Sequence, residues 1–214
     1  MQIIQKTWSE RSGWVGQNSS IDAPQLVLIF GATAILRDPA MLAGIRADFP
    51  GALVFGCSTA GEIHGTRVSD DTLTLTAVHF EKTRLRLASI PVMAAHESVL
   101  AGRELAAQLA APDLVHLLVL SDGLGVNGSE LVRGLRDSLP KKISVTGGLA
   151  ADGNRFETTL VCADHVPRTG CVAALGFYGD ALVVGHGSLG GWDAFGPLRR
   201  VTRSQGNMLY ELDG

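Results

Sequence analysis

The sequence is short of the features that mark several common classes of protein. Its three cysteines, Cys57, Cys162 and Cys171, are odd in number and form no C-x-x-C pair, which argues against a disulfide framework or a thiolate zinc site. The net charge is -3 and no basic stripe follows a predicted helix, so nucleic acid is not an expected partner. No apolar run approaches the roughly 18 residues of a membrane span, and residues 1–22 lack the layout of a secretion signal. These absences favour a soluble protein of the reducing cytoplasm, with no membrane contact by this segment.

Charged residues are also few, at 18%, whereas hydrophobic residues make up 46% of the 214 residues. A chain of this length and composition buries enough apolar surface to fold without disulfides or metals. We expect a polar N-terminal segment over residues 1–24, followed by a folded domain over residues 25–214.

The first part of that domain alternates strands and helices. Residues 25–31 form a continuous apolar run closed by glycine, which is typical of a buried strand. Asp38-Pro39 then supplies a helix cap, Pro50-Gly51 ends the helix, and residues 52–55 form the next strand. Two alternating stretches and an Ala-rich run follow; they predict a β-hairpin of residues 72–80 with 84–92 and a helix over 99–110.

The same order recurs in the second part of the chain. Residues 114–120 read as a buried strand, residues 127–140 as a capped amphipathic helix, and residues 143–146 as the next strand. Paired strands are expected after it, over residues 157–163, 170–178 and 181–189, with Gly179-Asp180 as the last turn.

The fold predicted from this order is α/β, with mixed sheets and flanking helices in a layered sandwich. The recurrence also suggests an internal duplication of a β-α-β-loop-β-β unit, with halves at about 25–111 and 112–214. No residue-level identity supports the repeat, so a chance match of two α/β segments is the alternative.

Two loops of small residues, one in each half, are the main candidates for a ligand site. The first, residues 56–63, reads Gly-Cys-Ser-Thr-Ala-Gly-Glu-Ile; the second, residues 147–153, reads Gly-Gly-Leu-Ala-Ala-Asp-Gly. Such loops let a ligand approach the main chain, although they are equally compatible with tight strand exits packed beneath another element. The candidate ligand-binding residues in these loops are Cys57, Ser58, Thr59, Gly61, Glu62, Gly147, Gly148 and Asp152.

Three further residues are candidates for the same site. Ser121 and Asp122 end the strand over 114–120, and the carboxyl ends of strands are where α/β sheets bind ligands. Trp192 follows a Gly-Gly pair that would let its indole reach the site. A turn-forming Asp-Gly pair and a core tryptophan are the structural alternatives.

Catalytic and metal-binding signatures are weak. Residues 56–61 do not match G-x-S-x-G, and the chain has no Walker loop, so we predict that the protein is not an enzyme. Acyl or amide transfer by Cys57 or Ser58 is the enzymatic alternative, although an unpaired cysteine at a strand end is usually a buried apolar residue. The six histidines are dispersed, which gives no support for a zinc site. A single axial ligand would suffice for haem, and His64 is favoured because it follows the first small-residue loop.

These motifs, in this order, resemble the FIST sensory domain, and specifically its N-terminal region. The resemblance rests on residues 56–63, Ser121-Asp122-Gly123, residues 147–153 and the closing residues 211–214, Glu-Leu-Asp-Gly. It covers almost the whole chain and implies a prokaryotic signal-input domain that binds small ligands such as amino acids or related metabolites.

The resemblance also implies partners and one cofactor. FIST domains occur alone or beside kinase, cyclase-like or chemoreceptor output modules, and the C-terminal FIST region that usually follows is expected in a longer protein. Some relatives bind haem and sense nitric oxide, so a haem-binding domain is the alternative function. The cofactor is otherwise unknown.

Overall fold

The computed structural model describes residues 1–16, 20–164, 166–187, 190, 193–205 and 208–214. The chain divides into two units, Met1–Val184 and Gly185–Gly214. The strands of the first unit are β1 (Gln2–Ser9), β2 (Gly13–Gly16), β3 (Leu26–Gly31), β4 (Leu53–Ser58), β5 (Glu62–His64), β6 (Arg67–Ser69), β7 (Leu73–His79), β8 (Arg84–Pro91), β9 (Leu114–Ser121), β10 (Ser144–Leu149), β11 (Val161–Ala163) and β12 (Cys171–Tyr178). Its helices are α1 (Thr33–Leu36), α2 (Pro39–Asp48), α3 (Ser98–Leu109) and α4 (Gly128–Ser138), with a short 3₁₀ turn, Ala95–Glu97, before α3.

The first sheet has the strand order β11-β4-β3-β7-β1-β2. Strands β3 and β4 are parallel, and β7 runs antiparallel to both β3 and β1. The polar N-terminal residues thus contribute β1 and β2 to this sheet, because Ile4 and Trp8 supply apolar side chains to its core. One face of the sheet packs on α2. This helix begins at Pro39, and the Asp38 carboxylate caps it by accepting the Ala40 N–H at 2.9 Å.

The second sheet has the strand order β10-β9-β12-β8. Strands β9 and β10 are parallel, and β12 is antiparallel to β9 and β8. Helices α3 and α4 cover one face, where Leu105 and Leu135 are completely buried. Asn127 caps α4 by accepting the Glu130 N–H, as the sequence predicts.

The two sheets pack against each other through a third core, to which both contribute. Phe55 comes from the first sheet and Leu175 from the second, and neither is exposed. The layers therefore run helices, sheet, sheet, helices, which confirms the predicted layered α/β fold with mixed sheets. The strand groups β4-β3-β7 and β10-β9-β12 share one arrangement, a parallel pair followed by an antiparallel third strand. The duplication itself stays a prediction.

The pairing of several predicted strands is wrong. Residues 72–80 and 84–92 do not form a hairpin, because β7 lies inside the first sheet while β8 is an edge of the second. Similarly, β11 pairs with β4, whereas β12 lies between β9 and β8. Alternating hydrophobicity shows that a strand has a buried face but carries no information about its neighbour. Residues 181–187 form no strand within the described part of the chain, and residues 188 and 189 lie outside it.

The second unit contains a hairpin of two strands, β13 (Val201–Gln205) and β14 (Met208–Leu212). Arg203 pairs with Glu211 at 3.5 Å and lies over the ring of Tyr210.

Candidate functional site

The carboxyl ends of β3, β4, β9 and β10 are joined by residues 150–160, which we call the crossing segment because they carry the chain from the second sheet to the first. At its start, the Ala150 N–H donates to the main-chain oxygen of Ser121, and the Ala151 N–H donates to the main-chain oxygen of Ser58, both at 2.8 Å. At its end, the Leu160 N–H donates to Ser58 Oγ at 2.9 Å. The two predicted loops therefore meet, and the ends of both sheets are tied to one segment.

Glu62 holds the first small-residue loop in shape. Its side chain is buried, with 2% of the residue exposed, and Oε1 accepts the hydroxyl of Thr59 at 2.6 Å. Oε2 accepts both the N–H and the hydroxyl of Thr72, at 3.1 and 2.7 Å. The carboxylate thus fastens the exit of β4 to the start of β7 and is directed into the protein.

Asp122 organises the turn after β9. It is 4% exposed, and its two oxygens accept the N–H groups of Leu124, Gly125 and Gly170 and the hydroxyl of Thr159. Burial is the largest single influence on its pKa and acts to raise it, but the hydrogen bonds from Gly125 and the other donors together outweigh burial and hold the pKa below its usual range. Asp122 is therefore charged, and every hydrogen bond that it accepts comes from the protein's own loops.

Asp152 organises the backbone of the crossing segment. Its carboxylate accepts the N–H groups of Phe156, Glu157 and Thr158, at 3.0, 2.8 and 2.9 Å. The bonds from Thr158 and Glu157 are the main reasons why its pKa lies below the usual range. They wrap the chain tightly, and Phe156 adopts a left-handed backbone with φ of 55° while its side chain stays 75% exposed. A bulky residue in that conformation is uncommon and indicates local strain.

The glycines of the two loops serve different purposes. A Cβ at Gly56 would lie 1.7 Å from the main-chain oxygen of Ile29, and one at Gly147 would lie 1.8 Å from that of Val119. Both positions need glycine because the neighbouring strand passes too close for a side chain. Gly148, in contrast, is exposed, and a Cβ there would have no atom within 4 Å.

The predicted ligand-binding residues thus separate into buried and accessible groups. Thr59 and Gly61 are half-buried and Gly147 and Gly148 are exposed, so these four line the accessible surface of the two loops. The remaining predicted residues within the described part of the chain are buried: Cys57, Ser58, Glu62, Ser121, Asp122 and Asp152. Trp192 lies outside the described residues.

Sequence reasoning missed residues 154–160 of the crossing segment and the two threonines that hold the buried carboxylates. Thr159 links the crossing segment to the turn after β9. Its hydroxyl donates to the Asp122 carboxylate at 2.8 Å and accepts the Gly123 N–H at 2.9 Å. Similarly, the hydroxyl of Thr72 donates to the Glu62 carboxylate. Neither threonine belongs to a motif, and no signal in the sequence would have identified them.

Cys57 and Ser58 are poorly placed for nucleophilic chemistry. Burial raises the pKa of the Cys57 thiol to about 12, so little thiolate is present at neutral pH. Ser58 is completely buried, and its Oγ is an acceptor for the Leu160 N–H. Among the hydrogen bonds between described residues, none joins either side chain to a histidine.

His64, the candidate haem ligand, ends β5 and lies opposite Arg67 in the β5–β6 hairpin. It is half-buried, and its neighbour Ile63 is 66% exposed on the hairpin surface. Across the described ranges, no group of three or more histidine, cysteine, aspartate or glutamate side chains is placed to hold a metal ion. In the same ranges, no helix has the length and apolar character needed to cross a membrane.

Comparison with known proteins adds the family. A search of curated proteins found no match. The family model of the FIST N domain, however, matches residues 25–214, which include both small-residue loops, the turn after β9 and the crossing segment. This family is a sensory family of signal transduction and not a family of enzymes. The match spans most of the chain, and the protein therefore belongs to the FIST family through its N-terminal domain.

Proposed function

We propose that this protein is a cytoplasmic signal-input domain that binds an amino acid or a related metabolite where the two small-residue loops meet. The observation that carries the proposal is the pair of accessible glycines, Gly147 and Gly148, on an outer strand that leads directly to Ala151, whose N–H is bonded to Ser58 of the first loop. Among the described strands, β10 has a neighbour on one side only, so its outer edge offers backbone N–H and C=O groups to a polar ligand.

The buried carboxylates act in this proposal as positioning groups. Glu62 accepts one hydrogen bond from Thr59 of its own loop and two from Thr72, and Asp152 accepts three from the crossing segment, which fixes the backbone near the proposed site. Asp152 or Glu62 would also add negative potential for the ammonium group of an amino acid.

The junction is also a suitable place for a signal to start. The crossing segment is hydrogen-bonded to Ser58 at the end of the first sheet and to Ser121 at the end of the second. A ligand that moves this segment changes contacts on both sheets together, and sensory domains work by such differential stabilisation of two arrangements. Where a C-terminal FIST region and a kinase, cyclase-like or chemoreceptor output module accompany the domain, the change would pass to them.

The test is a thermal-shift screen of the chain against amino acids and related metabolites at millimolar concentration. We expect at least one compound to raise the melting temperature, because a ligand that binds only the folded state stabilises it. In a Gly148→Tyr variant the ring would occupy the open space beside the two glycines, so the shift should disappear. Gly44→Tyr is the matched control, since Gly44 also has no atom within 4 Å of a Cβ and lies on α2.

Two results would contradict the proposal. One is a screen without any stabilising compound, and the other is a ligand whose thermal shift survives Gly148→Tyr unchanged. The haem alternative at His64 has its own test, which is the presence of a Soret band after reconstitution with haem, together with its loss in His64→Ala.

A further inference from the structure

One cavity, whose lining contains no residue of the small-residue loops, combines arginines with apolar walls. It has a volume of about 590 Å³ and lies between α1, α2 and the residues that follow β11. Leu36, Leu42 and Val166 line its walls, and Arg37, Arg46 and Arg168 belong to the same lining. We call this cavity the arginine groove. Its volume falls within the range of about 300–1,000 Å³ that is usual for small-molecule sites.

The three arginines come from separate segments that the fold brings together. Arg37 caps the C-terminus of α1 and Arg46 lies in the last turn of α2. Arg168 is fixed in position because its main chain exchanges two hydrogen bonds with Val161, at 2.9 and 3.0 Å. The three side chains carry the same charge, so an anion in the groove would be attracted by each of them.

The groove is only partly neutralised by the protein itself. Asp164 is the one carboxylate among the described residues of its lining, and its Oδ1 lies 4.0 Å from Arg46 Nη1 while also accepting the Val54 N–H at 3.3 Å. Within the described residues, neither Arg37 nor Arg168 has an acidic partner. Their five-donor guanidinium groups are consequently available to bind a carboxylate or phosphate in bidentate fashion.

We infer that the arginine groove binds a small organic anion, whose acidic group contacts Arg37 and Arg168 and whose apolar body lies against Leu42 and Val166. Apolar walls distinguish this site from a surface that attracts any anion, because they add affinity only for a molecule with apolar surface to bury. The site is independent of the edge of β10, so the protein would have two separate inputs.

The experiment titrates the complete chain with hexanoate and follows binding by calorimetry and by chemical-shift changes. Hexanamide removes the charge, while acetate and inorganic phosphate remove the apolar body. We expect saturable binding of hexanoate that is about tenfold or more tighter than that of the three comparison compounds.

Variants locate the site. The double variant Arg37→Gln/Arg168→Gln should weaken hexanoate binding by about tenfold or more, because both bidentate partners are lost. Arg11→Gln/Arg136→Gln is the matched control, with the same change of net charge at two exposed arginines. Gly148→Tyr should leave hexanoate binding unchanged, which separates this result from the test of the amino-acid site.

The inference is overturned by equal binding of hexanoate and hexanamide, by equal loss in the two double variants, or by the absence of saturable hexanoate binding at millimolar concentration. Phosphate binding as tight as that of hexanoate would also overturn it, since the apolar walls would then have no role.

Discussion

The corners at the ends of β4 and β10 have the same strand arrangement but differ in what they leave accessible. In the first sheet, β11 lies on the outer side of β4, so the end of β4 is buried. In the second sheet, β10 is the edge strand, and Gly147, Gly148 and Leu149 remain exposed. The comparison teaches that a small-residue loop becomes accessible or buried according to the strand beside it, and for β4 that strand is β11, which follows the crossing segment.

Gly56→Ala is the change that should separate the two corners most strongly. The new methyl group would lie 1.7 Å from the Ile29 oxygen inside the first sheet, whereas Gly148→Ala places it in open space. We expect a loss of at least about 3 kcal/mol in the free energy of unfolding for Gly56→Ala, and a change within about 0.5 kcal/mol for Gly148→Ala. Urea unfolding of both variants measures this difference. Equal losses would mean that the edge of β10 is as tightly packed as the end of β4.

Asp122→Asn tests how far the loops depend on a buried carboxylate. The amide can no longer accept at both former oxygens, so buried donors such as the Thr159 hydroxyl lose their partner. We expect a loss of about 3 kcal/mol in the free energy of unfolding. Asp137→Asn, at an exposed position on α4, is the control and should change stability little. A small effect at Asp122 would show that water replaces the lost acceptor.

Acid should weaken the loops that depend on these carboxylates. The pKa of Asp122 is lower in the folded protein than the usual value of about 3.9, so its charged form is favoured by folding. This contribution to stability is present above pH of about 4 and is lost as the pH falls toward the folded pKa. Unfolding measured from pH 7 down to acid should therefore show a steeper loss in the wild type than in Asp122→Asn. Parallel curves would refute the linkage.

Phe156→Asn changes the crossing segment, which follows the corner at the end of β10. It should have the smallest effect on stability, and it should stabilise the protein. Asparagine tolerates the left-handed backbone that Phe156 adopts, and the exposed ring contributes little burial. We expect a gain of about 0.5 kcal/mol in the free energy of unfolding, limited by the small size of the relieved strain. Chemical denaturation is again the measurement, with Phe195→Asn as a fully exposed control. Destabilisation instead would indicate that the Phe156 ring makes contacts that support the loop.

Much of the local structure is predictable because it depends on neighbouring residues. The cap at Asp38 with Pro39, the cap at Asn127 and the buried strands over 25–31 and 114–120 follow from propensity and periodicity. Strand neighbours are not predictable in the same way. The sequence predicts a hairpin of residues 72–80 with 84–92 because the two alternating stretches follow each other along the chain. The turn between them instead carries the chain from one sheet to the other.

The candidate site shows the same division. The sequence identifies the small-residue loops and the end of β9 as places of close approach, and it brings Ser58, Asp122 and Asp152 to attention. It does not show that these side chains already accept hydrogen bonds from residues of the crossing segment such as Thr159 and Leu160. Those partners lie up to 102 positions away along the chain.

What the sequence by itself determined is the family, the caps of α2 and α4, and most of the buried strands and helices between residues 25 and 178. Those properties are set by side-chain volume, backbone preference and short-range hydrogen bonds. The tertiary structure alone decided which loop is buried, which carboxylates are occupied, and that Arg37, Arg46 and Arg168 line one cavity. These follow from the order of strands within two stacked sheets, which depends on burial shared between distant parts of the chain.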